Sequence, residues 1–154
     1  MYIAVLFIHS WFRYVVFALG LWLLVLAVKG WRDRHETNWT PAHEKVHVGF
    51  VAALDLQFLI GLLLYFVLSP ITAAALSNMG AAMKDPTLRF FAVEHLFAMF
   101  LAVAVAHIGR VRSKRKHGRA RFRTTTIMQI IWLVLTLAAI PWPFLDVGRP
   151  LFRM

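Results

Sequence analysis

The chain has 154 residues, of which 60% are hydrophobic, and a formal net charge of +10. Its mean hydropathy of +0.67 is too high for a soluble domain of this length. It contains no cysteine, which excludes disulfides, iron–sulfur clusters and covalent c-type haem attachment. Any haem in this chain must therefore be held by non-covalent ligands.

Four apolar segments follow one another, at about residues 2–28, 41–68, 86–108 and 125–147. Each can cross a bilayer as a helix, because about 20 residues suffice. The connecting loops are short, so the sequence predicts one all-α domain over 1–154, an integral membrane four-helix bundle. The first segment has neither a basic start nor a small-residue cleavage site, and we expect it to be a retained helix rather than a signal peptide.

Local signals mark several of the segment boundaries. Thr40 before Pro41, and Asp85 before Pro86, predict capped helix starts. The short apolar stretch 71–83 predicts an interfacial helix between segments 2 and 3. Prolines at positions 141 and 143 predict a kinked or irregular end to segment 4.

Basic residues crowd two of the loops, which predicts the orientation. Loop 1, after segment 1, has three basic residues (Lys29, Arg32, Arg34), and loop 3, after segment 3, has eight, over residues 110–123. Loop 2, after segment 2, and the C-terminal tail have two basic residues each. Both termini are therefore expected outside the cytoplasm, in a bacterial cytoplasmic (inner) membrane that the chain crosses several times. The run 110–123 is predicted to meet anionic lipid head groups, and no nucleic-acid partner is expected.

Ionisable side chains inside apolar segments are costly and point to function. On a bundle of alternating helices, His9 and His95 match in depth near the outer face, and His47 and His107 match near the inner face. Facing imidazoles are the axial ligands of b-type haems, so the pattern predicts one or two haems. His95 and His107 are twelve residues apart, about 120° around one helix, so the two sites face different neighbours, a bend in the helix closes the difference, or only one site is real.

Three further residues are candidate parts of these sites. Gly20 lies near the face of His9 and Gly49 follows His47, so that a flat macrocycle can approach, although glycine also serves helix packing. Arg13 lies one turn below His9 and predicts a counter-ion, which is Glu94, Asp55 or a haem propionate. An acidic partner would form a structural ion pair or a proton route beside a quinone site.

The stretches LFIHSWFRY, HEKVHVGF, LRFFAVEHLFAMF, HIGRVRSKR and IPWPF resemble small four-helix bacterial membrane proteins labelled cytochrome b or cytochrome b-like. The resemblance spans nearly the whole chain and implies a haem-binding redox protein with ligands at these histidines. The predicted arrangement of ligands, though not the sequence, is similar to that of cytochrome b of quinol-oxidising complexes, in which each of two helices carries an outer and an inner haem ligand. Here only segment 3 carries both, which puts the second haem in doubt.

The sequence thus predicts a membrane b-type cytochrome that exchanges electrons with quinone or with other subunits of a membrane redox complex. It would be an electron-transfer protein or a subunit of a respiratory or photosynthetic oxidoreductase. One alternative is a non-haem accessory or assembly subunit of a larger membrane complex. Another is a small proton-coupled carrier using Asp55 and Glu94, although the sequence has no broken-helix repeats of the transporter kind.

Overall fold

A computed structural model describes residues 1–33 and 38–150, and within these ranges every regular element is helical. Two turns of π-helix, in which backbone bonds join residues five apart, cover Leu64–Leu68 and Phe90–Glu94. Arg34 of loop 1 and Arg153 of the tail lie outside the described residues. The helices are α1 Tyr2–Arg32, α2 Pro41–Leu63, α3 Pro70–Ser77, α4 Met79–Ala82, α5 Pro86–Arg89, α6 His95–Lys114 and α7 Gly118–Ala138.

Three continuous helical stretches are long and apolar enough to cross a membrane: Tyr2–Arg32, Pro41–Leu68 and Pro86–Lys114. They correspond to predicted segments 1 to 3, although the first and third extend further, to Arg32 and Lys114. The predicted interfacial helix over 71–83 is two short helices, α3 and α4. The all-α class is thereby confirmed, and three of the predicted segments are helices long and apolar enough to cross a membrane.

The fourth predicted segment, 125–147, was wrong at both ends. Helix α7 begins at Gly118 and ends at Ala138, and turns without helix follow it. Pro141 ends the regular hydrogen bonding because it has no N–H and restricts the residue before it. At the other end, three of the arginines assigned to loop 3, Arg119, Arg121 and Arg123, belong to the first turns of the helix, which makes α7 less apolar than the other three long helices.

The predicted caps are present. The hydroxyl of Thr40 accepts from the backbone N–H of His43, whose ring nitrogen accepts in return from the backbone N–H of Thr40 at 3.1 Å. The carboxylate of Asp85 accepts from the backbone N–H of Leu88 at 2.8 Å. Each cap satisfies a donor that the first turn of a helix leaves unpaired.

The four long helices pack side by side: α1 contacts α2 and α7, and α6 contacts α7 and α2. Trp132 of α7 is fully buried at the centre, with its ring edge-on to Phe50 at 4.7 Å between centroids. Polar groups of α7 also face inward, since the Gln129 amide donates to the Gly20 carbonyl at 3.1 Å. Close packing and internal hydrogen bonds hold such helices together, because lipid offers little hydrophobic drive for helix association.

Glycine lets the rings of neighbouring helices approach the backbone. A Cβ on Gly20 would lie 2.5 Å from the Trp132 ring, and one on Gly30 would lie 2.4 Å from the ring of Phe122, which is itself buried. A Cβ on Gly49 would meet nothing within 4 Å. Gly20 therefore serves helix packing, and Gly49 does not lie at a close approach of any described group.

Replacing Gly20 and Gly49 by alanine should distinguish a glycine at a close helix contact from one with no neighbour within 4 Å. Gly20→Ala forces the buried Trp132 ring to move and should lower the free energy of unfolding by about 1–3 kcal/mol. Gly49→Ala, the matched control, should be neutral or stabilising by up to about 1 kcal/mol, because alanine favours the helix. Unfolding by SDS of the protein in detergent measures both, and equal effects would contradict the packing argument.

Candidate functional site

His9 and His95 line one cavity at the end of the molecule opposite the basic loop, which we call the histidine end. Its volume is about 190 Å³, and it lies between α1, α2 and α6 and beneath the residues that follow α7. The prediction placed these two imidazoles at one depth, and the structure brings them to one site. The cavity wall is predominantly apolar and includes Leu6, Phe17, Leu54, Phe58, Leu64, Leu96, Met99 and Val103.

The ring of His95 is oriented by a backbone carbonyl. His95 is the first residue of α6, and its Nδ1 lies 2.8 Å from the carbonyl oxygen of Ala139, just past the end of α7. A carbonyl can only accept, so Nδ1 carries a proton, and in the neutral ring Nε2 then keeps its lone pair. This is the arrangement that fixes a histidine as a ligand through Nε2.

His9 is held by helix α2. The Gln57 side-chain amide donates to the His9 backbone carbonyl at 2.9 Å and lies 3.4 Å from its ring Nε2. The other nitrogen, Nδ1, is buried without a hydrogen-bond partner. Across from the ring, a Cβ on Gly61 would come within 3.2 Å of Cε1, so only glycine leaves His9 its present room. An orphaned buried nitrogen is costly and marks a place where a ligand completes the site.

Two arginines, Arg13 and Arg149, reach the same cavity. Arg13 donates to the hydroxyl of Tyr14 at 3.0 Å, and Arg149 lies over the ring of Phe91 at 5.2 Å. Guanidinium groups at the edge of an apolar cavity suit a ligand that carries carboxylates.

The acidic partners predicted for Arg13 pair with other residues. Glu94 accepts from Arg89 at 2.7 Å, and Asp55 lies 2.8 Å from His107 Nε2. Both pairs lie on the surface of the helices, so the structure does not show the predicted internal pair of Arg13 with Glu94 or Asp55.

The two π turns lie together beside the cavity. The Tyr65 hydroxyl in the first donates to the Ala92 carbonyl in the second at 2.8 Å. The Thr72 hydroxyl of α3 donates to the Tyr65 carbonyl at 2.7 Å. A π turn leaves carbonyls out of line for helical bonding, and these side-chain donors supply partners. The second π turn ends at Glu94, so it sets the direction in which His95 leaves the helix.

The predicted inner pair, His47 and His107, is not assembled. His107 pairs with Asp55, which is eight residues and about 12 Å along α2 from His47. The side chains of Asp55 and His107 are 40% and 49% exposed, whereas His47 is buried and packs near the ring of Trp39. The 120° offset between His95 and His107 separates the two side chains: His95 lines the cavity, and His107 lies on the surface of the helices.

At the depth predicted for the inner site, the structure has instead an ion-pair cluster around Glu44, a residue that the sequence analysis did not single out. Its carboxylate accepts from Arg110 at 2.7 Å and from Arg121, and Lys114 lies 3.6 Å away. The Trp39 indole donates to the same carboxylate at 3.2 Å. This cluster joins the start of α2 to the end of α6 and the start of α7, so its role is to fix the helices at the basic end.

Gln57, Gly61 and Arg149 also belong to the site and were not predicted. Gln57 and Gly61 are four residues apart on α2, so they share a face, but neither residue type alone indicates which face meets His9. Arg149 comes from the turns after α7, whose path no periodic pattern reveals.

No group of three or more His, Asp or Glu side chains that could hold a metal ion occurs in 1–33 or 38–150. The His9–His95 pair has two such side chains and is therefore smaller than a group of this kind. The chain matches no protein-family model, no curated protein and no solved structure at a significant level. Its function is therefore argued from the site.

Proposed function

We propose that the protein is a membrane b-type cytochrome that binds one haem between His9 and His95. The observation that carries the proposal is that two imidazoles from different helices enter one apolar cavity, one with its Nε2 lone pair left available and the other with an orphaned nitrogen. With both histidines as ligands, the iron would have no open position for oxygen, which would suit electron transfer.

The residues present fit such a group. Apolar side chains line the cavity, Gly61 leaves room for the ring of His9, and Arg13 and Arg149 are the cations that would pair with propionates. Gln57 lies 3.4 Å from Nε2 of His9, so Nδ1, the buried nitrogen without a hydrogen-bond partner, is the one left to a ligand. Bound haem supplies reversible one-electron transfer, while the protein excludes water and fixes both ligands.

The purified protein should show the reduced-minus-oxidised spectrum of a six-coordinate b-type haem. The haem-to-chain ratio should be close to one, because one histidine pair is assembled among residues 1–33 and 38–150. A ratio near two would require the inner site, and absence of haem from protein made in haem-replete cells would overturn the proposal.

The four long helices form one membrane bundle in this proposal, with α7 as the fourth span and the histidine end outside the cytoplasm. Cysteines introduced singly at Ser77 and Lys116 test the orientation, since both residues are exposed, on α3 and in the turn after α6. A membrane-impermeant thiol reagent on intact cells should label position 77 and spare position 116. No native cysteine interferes, and the reverse pattern would place the haem site on the cytoplasmic side.

A second candidate is an accessory subunit of a larger membrane redox complex. The exposed Asp55–His107 pair favours it, because a polar pair facing lipid is costly and a neighbouring subunit can cover it. Quinone is the alternative occupant of that surface. Asp55→Asn with His107→Phe should weaken co-purification of partner subunits under this second candidate and leave the haem content unchanged.

A further inference from the structure

A groove lies at the basic end, where α1 finishes and α7 starts. It is lined by Trp31 in the last turn of α1 and by Arg119, Ala120, Arg123 and Ile127 of α7. Arg119 Nε donates to the Trp31 carbonyl at 2.9 Å, which holds its side chain against the last turn of α1. The groove thus combines a positioned cation with an aromatic and an aliphatic wall.

Arg119 and Arg123 are four residues apart on α7, so their side chains share one face of the helix. Both residues are exposed. The intervening Arg121 turns to the other side, where it pairs with Glu44. In the part of the chain that the structure describes, no carboxylate lies within ion-pair distance of Arg119 or Arg123.

The position of these arginines is electrostatically unfavourable on its own. The first turns of a helix carry the positive end of its dipole, where anions stabilise and cations destabilise. The first turns of α7 contain no acidic residue. An anion between Arg119 and Arg123 would offset both the like-charge repulsion and the dipole.

The other half of the groove is apolar. Ile127 lies one turn beyond Arg123, toward the hydrophobic part of α7, and it is exposed. Trp31 supplies the aromatic surface that commonly lies at the level of lipid head groups. Toward the hydrophobic part of α7, the groove residues therefore run from Arg119 and Arg123 to Ile127, in the order in which a phospholipid presents its phosphate and its acyl chain.

We propose that this groove binds an anionic phospholipid, with the phosphate between Arg119 and Arg123 and the acyl chain along Trp31 and Ile127. Phosphate is a bidentate partner of guanidinium, and the groove selects for charge as well as for an apolar tail. The site is separate from the histidine cavity, and its occupancy does not depend on haem.

Native mass spectrometry of the full chain in neutral detergent tests the proposal. The probes are short-chain phosphatidylglycerol, phosphatidylcholine and inorganic phosphate. Wild-type protein should bind phosphatidylglycerol at least tenfold more tightly than phosphatidylcholine. Arg119→Gln with Arg123→Gln should remove that preference, and Ile127→Gln should weaken binding severalfold while both charges remain.

The matched control is Arg115→Gln with Lys116→Gln, which removes the same charge from exposed residues outside the groove. It should change the affinity less than threefold. Equal losses in the two double variants would show a general attraction of the basic end and overturn the site. Competition by inorganic phosphate at equal concentration would reassign it as a free-phosphate site, and equal binding of both lipids would also refute the proposal. Unchanged thermal midpoints confirm that the variants fold.

Discussion

Replacing either His9 or His95 with alanine is expected to remove most of the bound haem. Loss of a residue that only hydrogen-bonds a metal ligand typically weakens metal binding roughly 10–100-fold. Loss of a ligand itself should weaken haem binding by more than that. The haem that remains should be five-coordinate, with a shifted Soret band, because the cavity offers no other histidine. Haem content by pyridine haemochrome assay and the spectrum of the reduced protein measure the two effects.

His47→Ala and His107→Ala are the controls, since neither residue lines the cavity. Each should retain about one haem per chain with an unshifted spectrum. If His107→Ala loses haem while His95→Ala keeps it, the site is at the other end of the molecule and the assignment is wrong.

Glu44→Ala should be among the most destabilising single substitutions at the basic end. It leaves the guanidinium groups of Arg110 and Arg121 without their carboxylate, and these side chains are only 25% and 16% exposed. Breaking a partly buried charge network by removing one member costs about 3 kcal/mol. The loss should appear as a lower SDS midpoint for unfolding, with the haem spectrum unchanged in the folded fraction.

Glu94→Gln provides the comparison, because its ion pair with Arg89 is 48% and 40% exposed. Exposed pairs contribute about 0–1 kcal/mol. Similar midpoints for Glu44→Ala and Glu94→Gln would mean that the cluster around Glu44 does not hold the helices together.

Depth along a helix was predictable from the sequence, and rotation about it was not. His9 and His95 were placed at the same level by counting residues from the segment ends, and both line one cavity. The same counting paired His47 with His107, yet His107 lies beside Asp55. Residue counts fix position along an axis, whereas the neighbour of a side chain depends on helix packing, which single-sequence periodicity leaves open in an almost uniformly apolar chain.

The fourth helix shows a second limit of the sequence. Hydropathy placed its start at Thr125, because the arginines before it look like a loop. In the structure those arginines continue the helix, one of them satisfied by Glu44 on α2. Hydropathy averaged along the sequence does not reveal a partner from another helix, such as Glu44. It also does not reveal the carbonyl of Ala139 that orients His95.

The two π turns have a consequence for how this chain can change length. Each accommodates one residue more than a turn of α-helix would. Loss of one residue from the second turn would let it close into α-helix and keep α6 near its present rotation, while moving the Ala92 carbonyl away from the Tyr65 hydroxyl. The second turn is therefore a place where the chain can lose one residue without turning His95 away from the cavity.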